Sequence, residues 1–171
     1  MNEVLERWNG LEAGAATEQI LPCCGSRAWA RAMAERRPMV HEAEVLAAAD
    51  AAWRWCDEAD WREAFATHPR LGEQRVGGAA TERSLAWSRQ EQGLVLGDEE
   101  HTARLLREGN RAYEARFGRT FLVCASWRSG AEVLAILDRR MGNDADAEWM
   151  EAGEQQRQIT ALRLERWMRG G

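Results

Sequence analysis

Apolar positions recur along most of this chain with a helical period. Val45, Leu46, Ala49, Trp53 and Cys56 fall on one stripe at helical spacing. Trp61 and Phe65 mark the next helix, and a third is predicted over about Ala79–Gln92. Leu105, Leu106, Ala112, Tyr113 and Phe117 mark a fourth, closed by Gly118 as a C-cap. Val133, Leu134, Leu137 and Met141 mark a fifth, closed by Gly142 and opened by a capping box, Ser129 with Glu132 three residues on. A last helix covers roughly Asp146–Met168, with Asn143 or Asp144 as its cap. One stretch breaks the pattern. Phe121-Leu122-Val123-Cys124-Ala125 is short, apolar and bounded by Gly118 and Ser126, which predicts a buried extended segment between helices. Gly77-Gly78 predicts a flexible loop. Only Pro22, Pro38 and Pro69 interrupt the chain, and the helix formers Ala, Leu, Glu and Arg dominate it. The expected fold is therefore all-α, a single-domain helical bundle over 1–171, with no internal repeat and no linker dividing it.

Composition narrows the class. The 171 residues suit one domain, or two very small ones, and a chain of this size buries roughly 70 % of its unfolded surface. With 45 % apolar and 30 % charged residues it is an ordinary globular protein, neither collagen-like nor disordered. The 28 acidic residues outnumber 23 basic ones, all arginine, for a net charge of −5. That balance argues against nucleic acid and against an acidic membrane surface as partners. The segment MNEVLERWNG lacks the apolar core of a signal peptide, and the longest apolar runs are far too short to span a bilayer. Four cysteines without a CxxC pair read as reduced thiols, with neither a disulfide framework nor a zinc site. A cytoplasmic protein without a bound metal is the expectation.

Three constellations can carry chemistry. His41 and His101 sit at helix starts among acidic residues and read as surface histidines. His68 lies in Thr67-His68-Pro69-Arg70-Leu71-Gly72-Glu73. Pro69 pushes it out of helical geometry, which ends the helix and projects the imidazole from a fixed corner. Such a histidine is either a proton carrier at neutral pH or simply the end of a helix. Ser88, Glu91 and Gln92, at i, i+3 and i+4, share one helix face that the small Ala80 and Ser84 continue. That face either lines a pocket or is a solvated helix end before Gly93. Arg163 lies within the apolar stripe of the last helix, between Ile159 and Trp167 and beside Leu162. A buried arginine needs an anion or hydrogen-bond acceptors, such as Glu91 or a substrate carboxylate or ureido group; otherwise its stem packs and its head snorkels out. The nine tryptophans read as core. No phosphate loop, nucleophile elbow or HExxH is present.

Taken together, these residues resemble the 2-oxo-4-hydroxy-4-carboxy-5-ureidoimidazoline (OHCU) decarboxylases, enzymes of uric acid breakdown. The matching motifs are Cys23-Cys24-Gly25-Ser26 with Trp29 and Arg37-Pro38, then His68-Pro69-Arg70-Leu71-Gly72-Glu73 and Ser88-x-x-Glu91-Gln92. Tyr113-x-x-Arg116-Phe117-Gly118, Phe121-Leu122-Val123-Cys124-Ala125 and Leu162-Arg163-Leu164 follow in order. Each motif alone is weak; in this order, from about residue 20 onward, they are specific. The resemblance implies an all-helical fold, no cofactor, and decarboxylation of OHCU to (S)-allantoin. It implies His68 and Glu91 as the catalytic pair. Pro69, Ser88, Gln92 and Arg163 would hold the substrate, and Leu122, Val123, Cys124 and Ala125 would offer backbone groups. It also implies a small-molecule ureidoimidazoline as partner, pairing of the chain as a homodimer, and a single reaction step, since no hydroxyisourate hydrolase domain is attached. One position departs from the pattern: Trp127 stands where a small or polar residue is expected before Arg128-Ser129, and if it overhangs the pocket, entry or affinity changes. The alternatives are another small-molecule lyase or hydrolase using the same His, Glu and Arg, and a helical binding module without catalysis. Activity on OHCU excludes the former; exposure of His68, Glu91 and Arg163 would favour the latter.

Overall fold

The structure, a computed structural model, describes residues 2–71, 81–96 and 100–170, without the side chains of residues 89 and 91–96. Among the described residues there are nine helices and no strand. They are α1 (Glu3–Asn9), α2 (Ala13–Cys24), α3 (Arg27–Glu35), α4 (Glu42–Trp55), α5 (Glu58–Ala66), α6 (Glu82–Leu96), α7 (Glu100–Phe117), α8 (Gly130–Arg140) and α9 (Ala145–Met168). The all-α expectation stands. The helices group into two compact units, residues 1–64 with 157–171, and residues 65–156.

In the first unit tryptophans build the interior. Trp8 is fully buried; its indole N–H donates to the carbonyl of Ala16 (2.9 Å) and its ring meets Trp167 edge-on at 5.5 Å. Trp29 donates to the carbonyl of Ala49 (3.1 Å), and Trp53 stacks on Trp61 at 4.8 Å. Buried indoles that keep their N–H bonded contribute area without an unsatisfied donor. The Cys23–Ser26 motif is a helix junction: Gly25 adopts φ +92°, closing α2, and Ser26 Oγ accepts from the Trp29 N–H to cap α3. Arg37 explains its place in the next motif. Its guanidinium donates to the carbonyls of Ala34 (2.8 Å), Trp8 (2.7 Å) and Leu11 (2.8 Å), tying the ends of α1 and α3 together. Pro22, a residue that usually ends a helix, is buried inside the last turn of α2.

In the second unit α6, α7 and α8 pack on one another around Leu71, Leu106, Tyr113, Phe121, Val123, Ala125, Val133 and Leu137. Gly109 lets α7 and α8 close: a Cβ there would stand 2.9 Å from Leu137 Cδ2. Gly118 ends α7 at φ +68°, and the capping box opens α8, with Glu132 accepting from the Ser129 N–H (2.7 Å). Asp144 caps α9 by accepting from the Ala147 N–H (2.8 Å). Two boundaries and one buried position differ from expectation. Helix α6 continues through Gly93 to Leu96, because one glycine costs a helix only about 1 kcal/mol. Helix α8 stops at Arg140, before Gly142, with Met141 as its cap. Ala112 is exposed on α7, one position away from the buried Tyr113. The predicted loop at Gly77-Gly78 and positions 79–80 lie outside the described residues.

At the centre of this unit is a buried ion pair. Arg140 and Glu148, both fully buried, are joined by two N–H donors of the guanidinium. Tyr113 donates its hydroxyl to the same carboxylate, and Asn143 Nδ2 donates to the other oxygen (2.9 Å). Burial, then the hydrogen bond to Glu148, push the Tyr113 hydroxyl well above the ordinary tyrosine range. Arg140 also lies over the Phe121 ring (4.7 Å) and donates from Nη1 to the carbonyl of Leu122 (2.6 Å).

Candidate active site

His68 stands where the proline rule places it. Helix α5 stops at Ala66, Pro69 is buried, and the His68 N–H reaches back to the Phe65 carbonyl (3.2 Å). Arg70 and Leu71 anchor that corner. Arg70 makes a bidentate pair with Glu114 (2.6 Å for each bond), and the carbonyl of Leu71 accepts from Asn110 Nδ2 (3.2 Å). Both partners belong to α7, so the chain on the far side of His68 is fixed to a rigid element. His68 is 8 % exposed, which excludes a freely solvated histidine at a helix end. Its Nε2 lies 2.9 Å from Oε1 of Gln156, itself fully buried on α9.

The segment 121–125 is extended and buried throughout, as its composition predicts. Arg140 holds the Leu122 carbonyl, Arg128 Nε donates to the Cys124 carbonyl (3.1 Å), and Gln155 Oε1 accepts from the Cys124 N–H (2.8 Å). That N–H is committed inside the protein, so peptide groups offered to a ligand come from its neighbours. Gln155 and Gln156 are consecutive on α9. One holds the extended segment and the other holds His68. Neither was singled out from sequence, although both lie on a readable stripe: Gln156 is four residues before Thr160 and seven before Arg163.

Ser88 is buried on α6, together with Ser84 and Trp87 on the same helix. Glu91 and Gln92 follow in α6, but their side chains lie outside the described residues. Arg163 belongs to the first unit and is 1 % exposed, which removes the reading in which its head snorkels to solvent. Within that unit its charge acts on the Cys24 thiol, which burial nonetheless pushes up to about 12 and so keeps protonated. Among the described residues no group of three or more His, Cys, Asp or Glu can hold a metal ion, and no helix is long and apolar enough to cross a membrane.

Trp127 follows the extended segment in an unusual state. It is 92 % exposed and has φ +70° in the turn closed by the Arg128 N–H on the Ala125 carbonyl (3.1 Å). Only a third turn position with positive φ, as in a type II turn, fits this pattern, and glycine is the residue suited to it. Exposed indoles at Trp127 and Trp55 also limit the reading of tryptophan as core. A Trp127→Gly variant is expected to be more stable by about 0.5–1 kcal/mol, because strain relief of about 1–2 kcal/mol exceeds the entropic cost of a glycine. Urea denaturation measures it; a lower midpoint at unchanged m would refute the strain.

The OHCU decarboxylase family model matches residues 9–165 of the chain. That match runs through both compact units. The uric acid degradation bifunctional protein TTL of Arabidopsis thaliana is 32 % identical over 146 residues, covering 83 % of this chain and 44 % of that protein. The 2-oxo-4-hydroxy-4-carboxy-5-ureidoimidazoline decarboxylase of Amia calva is 37 % identical over 99 residues, 57 % of this chain and 55 % of that one. The chain thus spans about half the length of the curated relatives it matches. A crystal structure of OHCU decarboxylase in the presence of (S)-allantoin superposes with a TM-score of 0.75 at 28 % identity, over 88 % of this chain and 97 % of that one. The structure of (S)-allantoin synthase shares the fold, with a TM-score of 0.67 at 18 % identity over 94 % of this chain and 52 % of that one.

Proposed function

The chain belongs to the OHCU decarboxylase family, and from that premise we propose that it converts OHCU to (S)-allantoin without a cofactor, as a carboxy-lyase whose domain extends over 1–171. The observation that carries the proposal is the buried corner imidazole of His68, held at Nε2 by the same turn of α9 that holds the extended segment 121–125.

The chemistry needs little more than positioning and one proton carrier. The substrate bears a hydroxyl and a carboxylate on one ring carbon, beside a C=N bond. When the carbon–carboxylate bond breaks, its electron pair passes into that C=N system, whose nitrogen takes a proton from solvent, and carbon dioxide leaves. The hydroxyl then gives up its proton as its carbon becomes a carbonyl, and the ureido-bearing carbon takes a proton from one side. His68 exchanges the proton with the hydroxyl-bearing centre, poised by Glu91. Ser88, Gln92 and the peptide groups of Val123 and Ala125 match the amide edges of the ring, beside Pro69 and Leu122. Arg163, buried and so held in one geometry, pairs with an anionic or carbonyl oxygen. Delivery of the proton from one side sets the hand of the product.

Fresh OHCU, made from urate with urate oxidase and hydroxyisourate hydrolase, provides the test. Its spontaneous decay gives racemic allantoin without a net circular dichroism signal. Addition of the protein is expected to produce a one-handed signal faster than the spontaneous rate. A silent trace from folded protein would reject the proposal.

A further inference from the structure

Gln155 and Gln156 point in different directions from α9, since consecutive helical residues are about 100° apart, and each ends on a different part of the site. A fully buried primary amide beside an imidazole is a strong orienting device, because the nitrogen that carries the proton is set by the partner of the other. The contact is Oε1 of Gln156 to Nε2 of His68 at 2.9 Å. An amide oxygen only accepts, so the imidazole must donate. We propose that Gln156 is a positioning residue that fixes neutral His68 as the Nε2–H tautomer, making Nδ1 the nitrogen that takes up and returns the reaction's proton. The proposal rests on the catalytic role of His68 proposed above. Gln155, one residue earlier, locks the Cys124 N–H (2.8 Å), so the same helix turn sets both the direction of the imidazole and the register of the extended segment.

The tautomer is read directly from 15N-histidine NMR of the ligand-free protein, recorded where the imidazole is neutral. The chain has three histidines, and the spectrum of a His68→Asn variant identifies the resonance of interest. The wild-type ring is expected to show a protonated Nε2 and a pyridine-like Nδ1. In Gln156→Met, which keeps the length of the side chain but offers only a weak sulfur acceptor, the signature is expected to shift toward the Nδ1–H form. With OHCU, kcat of that variant is expected to fall about 10–100-fold while KM changes little, as for other groups that orient a reacting one. Gln156→Glu keeps an acceptor at the same place and is expected to keep the Nε2–H signature. A wild-type ring protonated at Nδ1 would overturn the proposal, whether or not the methionine variant folds; so would an unchanged signature in folded Gln156→Met. Because the tautomer is measured without turnover, a shifted signature in a protein inactive on OHCU would reject the reaction and leave the positioning role. Turnover with an unmoved tautomer would do the reverse.

Discussion

His68→Asn is expected to lower kcat on OHCU by about 10²–10⁴-fold, the usual contribution of a positioned general acid–base group. The corner that carries His68 is held by groups other than the imidazole. Arg70 is paired with Glu114, the Leu71 carbonyl with Asn110, and the His68 N–H with Phe65. Asparagine leaves these in place and retains a side-chain donor for Gln156, so the far-ultraviolet spectrum of the variant is expected to match that of the parent. Loss of activity with an intact fold is the signature of a proton carrier. The same loss with a collapsed spectrum would mark a structural residue. A kcat near the parent value would remove His68 from the mechanism.

The second large effect falls on stability. Arg140→Met is expected to destabilise the protein by about 3–5 kcal/mol, since it strands the fully buried Glu148 carboxylate without its counter-ion. For a chain of this length that corresponds to roughly 6–20 °C in Tm. Glu148→Gln is expected to cost less, because the amide still accepts from Tyr113 and Arg140 while leaving the cation without its charge partner. The double variant Arg140→Met with Glu148→Met removes both charges and is expected to recover most of the loss, the behaviour of a buried pair whose desolvation offsets its attraction. Differential scanning calorimetry of the three variants decides the matter: a single variant within about 1 kcal/mol of the parent would show that the pair is not the keystone of residues 65–156.

Much of this architecture is written in periodicity. The stripes through Val45–Trp53, Leu106–Tyr113 and Val133–Leu137 face cores, because only a helix of period 3.6 brings those residues to one side. Ser129 with Glu132 announced the start of α8, and the Pro69 constraint announced the corner at His68. The extended run at 121–125 was legible because its apolar residues are too few for a helix and are bracketed by turn residues. Other features have no periodic signature. Arg140 and Glu148 pair across the turn between α8 and α9, and nothing in the spacing of two charged residues distinguishes such a pair from two solvated ones. Gln155 and Gln156 look like ordinary polar residues on a long helix. The clue was Arg163: extending its buried stripe two turns toward the start of α9 reaches Gln156. The turn at Trp127 runs against local propensity, so residue preferences predict some other residue there.

The first compact unit is not a continuous stretch of chain. Residues 1–64 are completed by 157–171, and the contacts joining the two stretches are specific: Trp8 packs on Trp167, and Asn2 Nδ2 donates to the Met168 carbonyl (2.9 Å). On the ribosome, therefore, the order of completion reverses the order of synthesis. Residues 65–156 are all synthesised before the Trp8 neighbourhood can be completed, and synthesis at about 5–20 residues per second makes Trp8 wait roughly 8–30 s for Trp167. During that interval the indole of Trp8 has no Trp167 to meet, and a newly made chain carries a sticky, half-built surface. The cost of joining stretches so far apart in sequence is a slow step of loop closure. Nascent protein held by a chaperone until residue 168 has emerged would be spared that exposure.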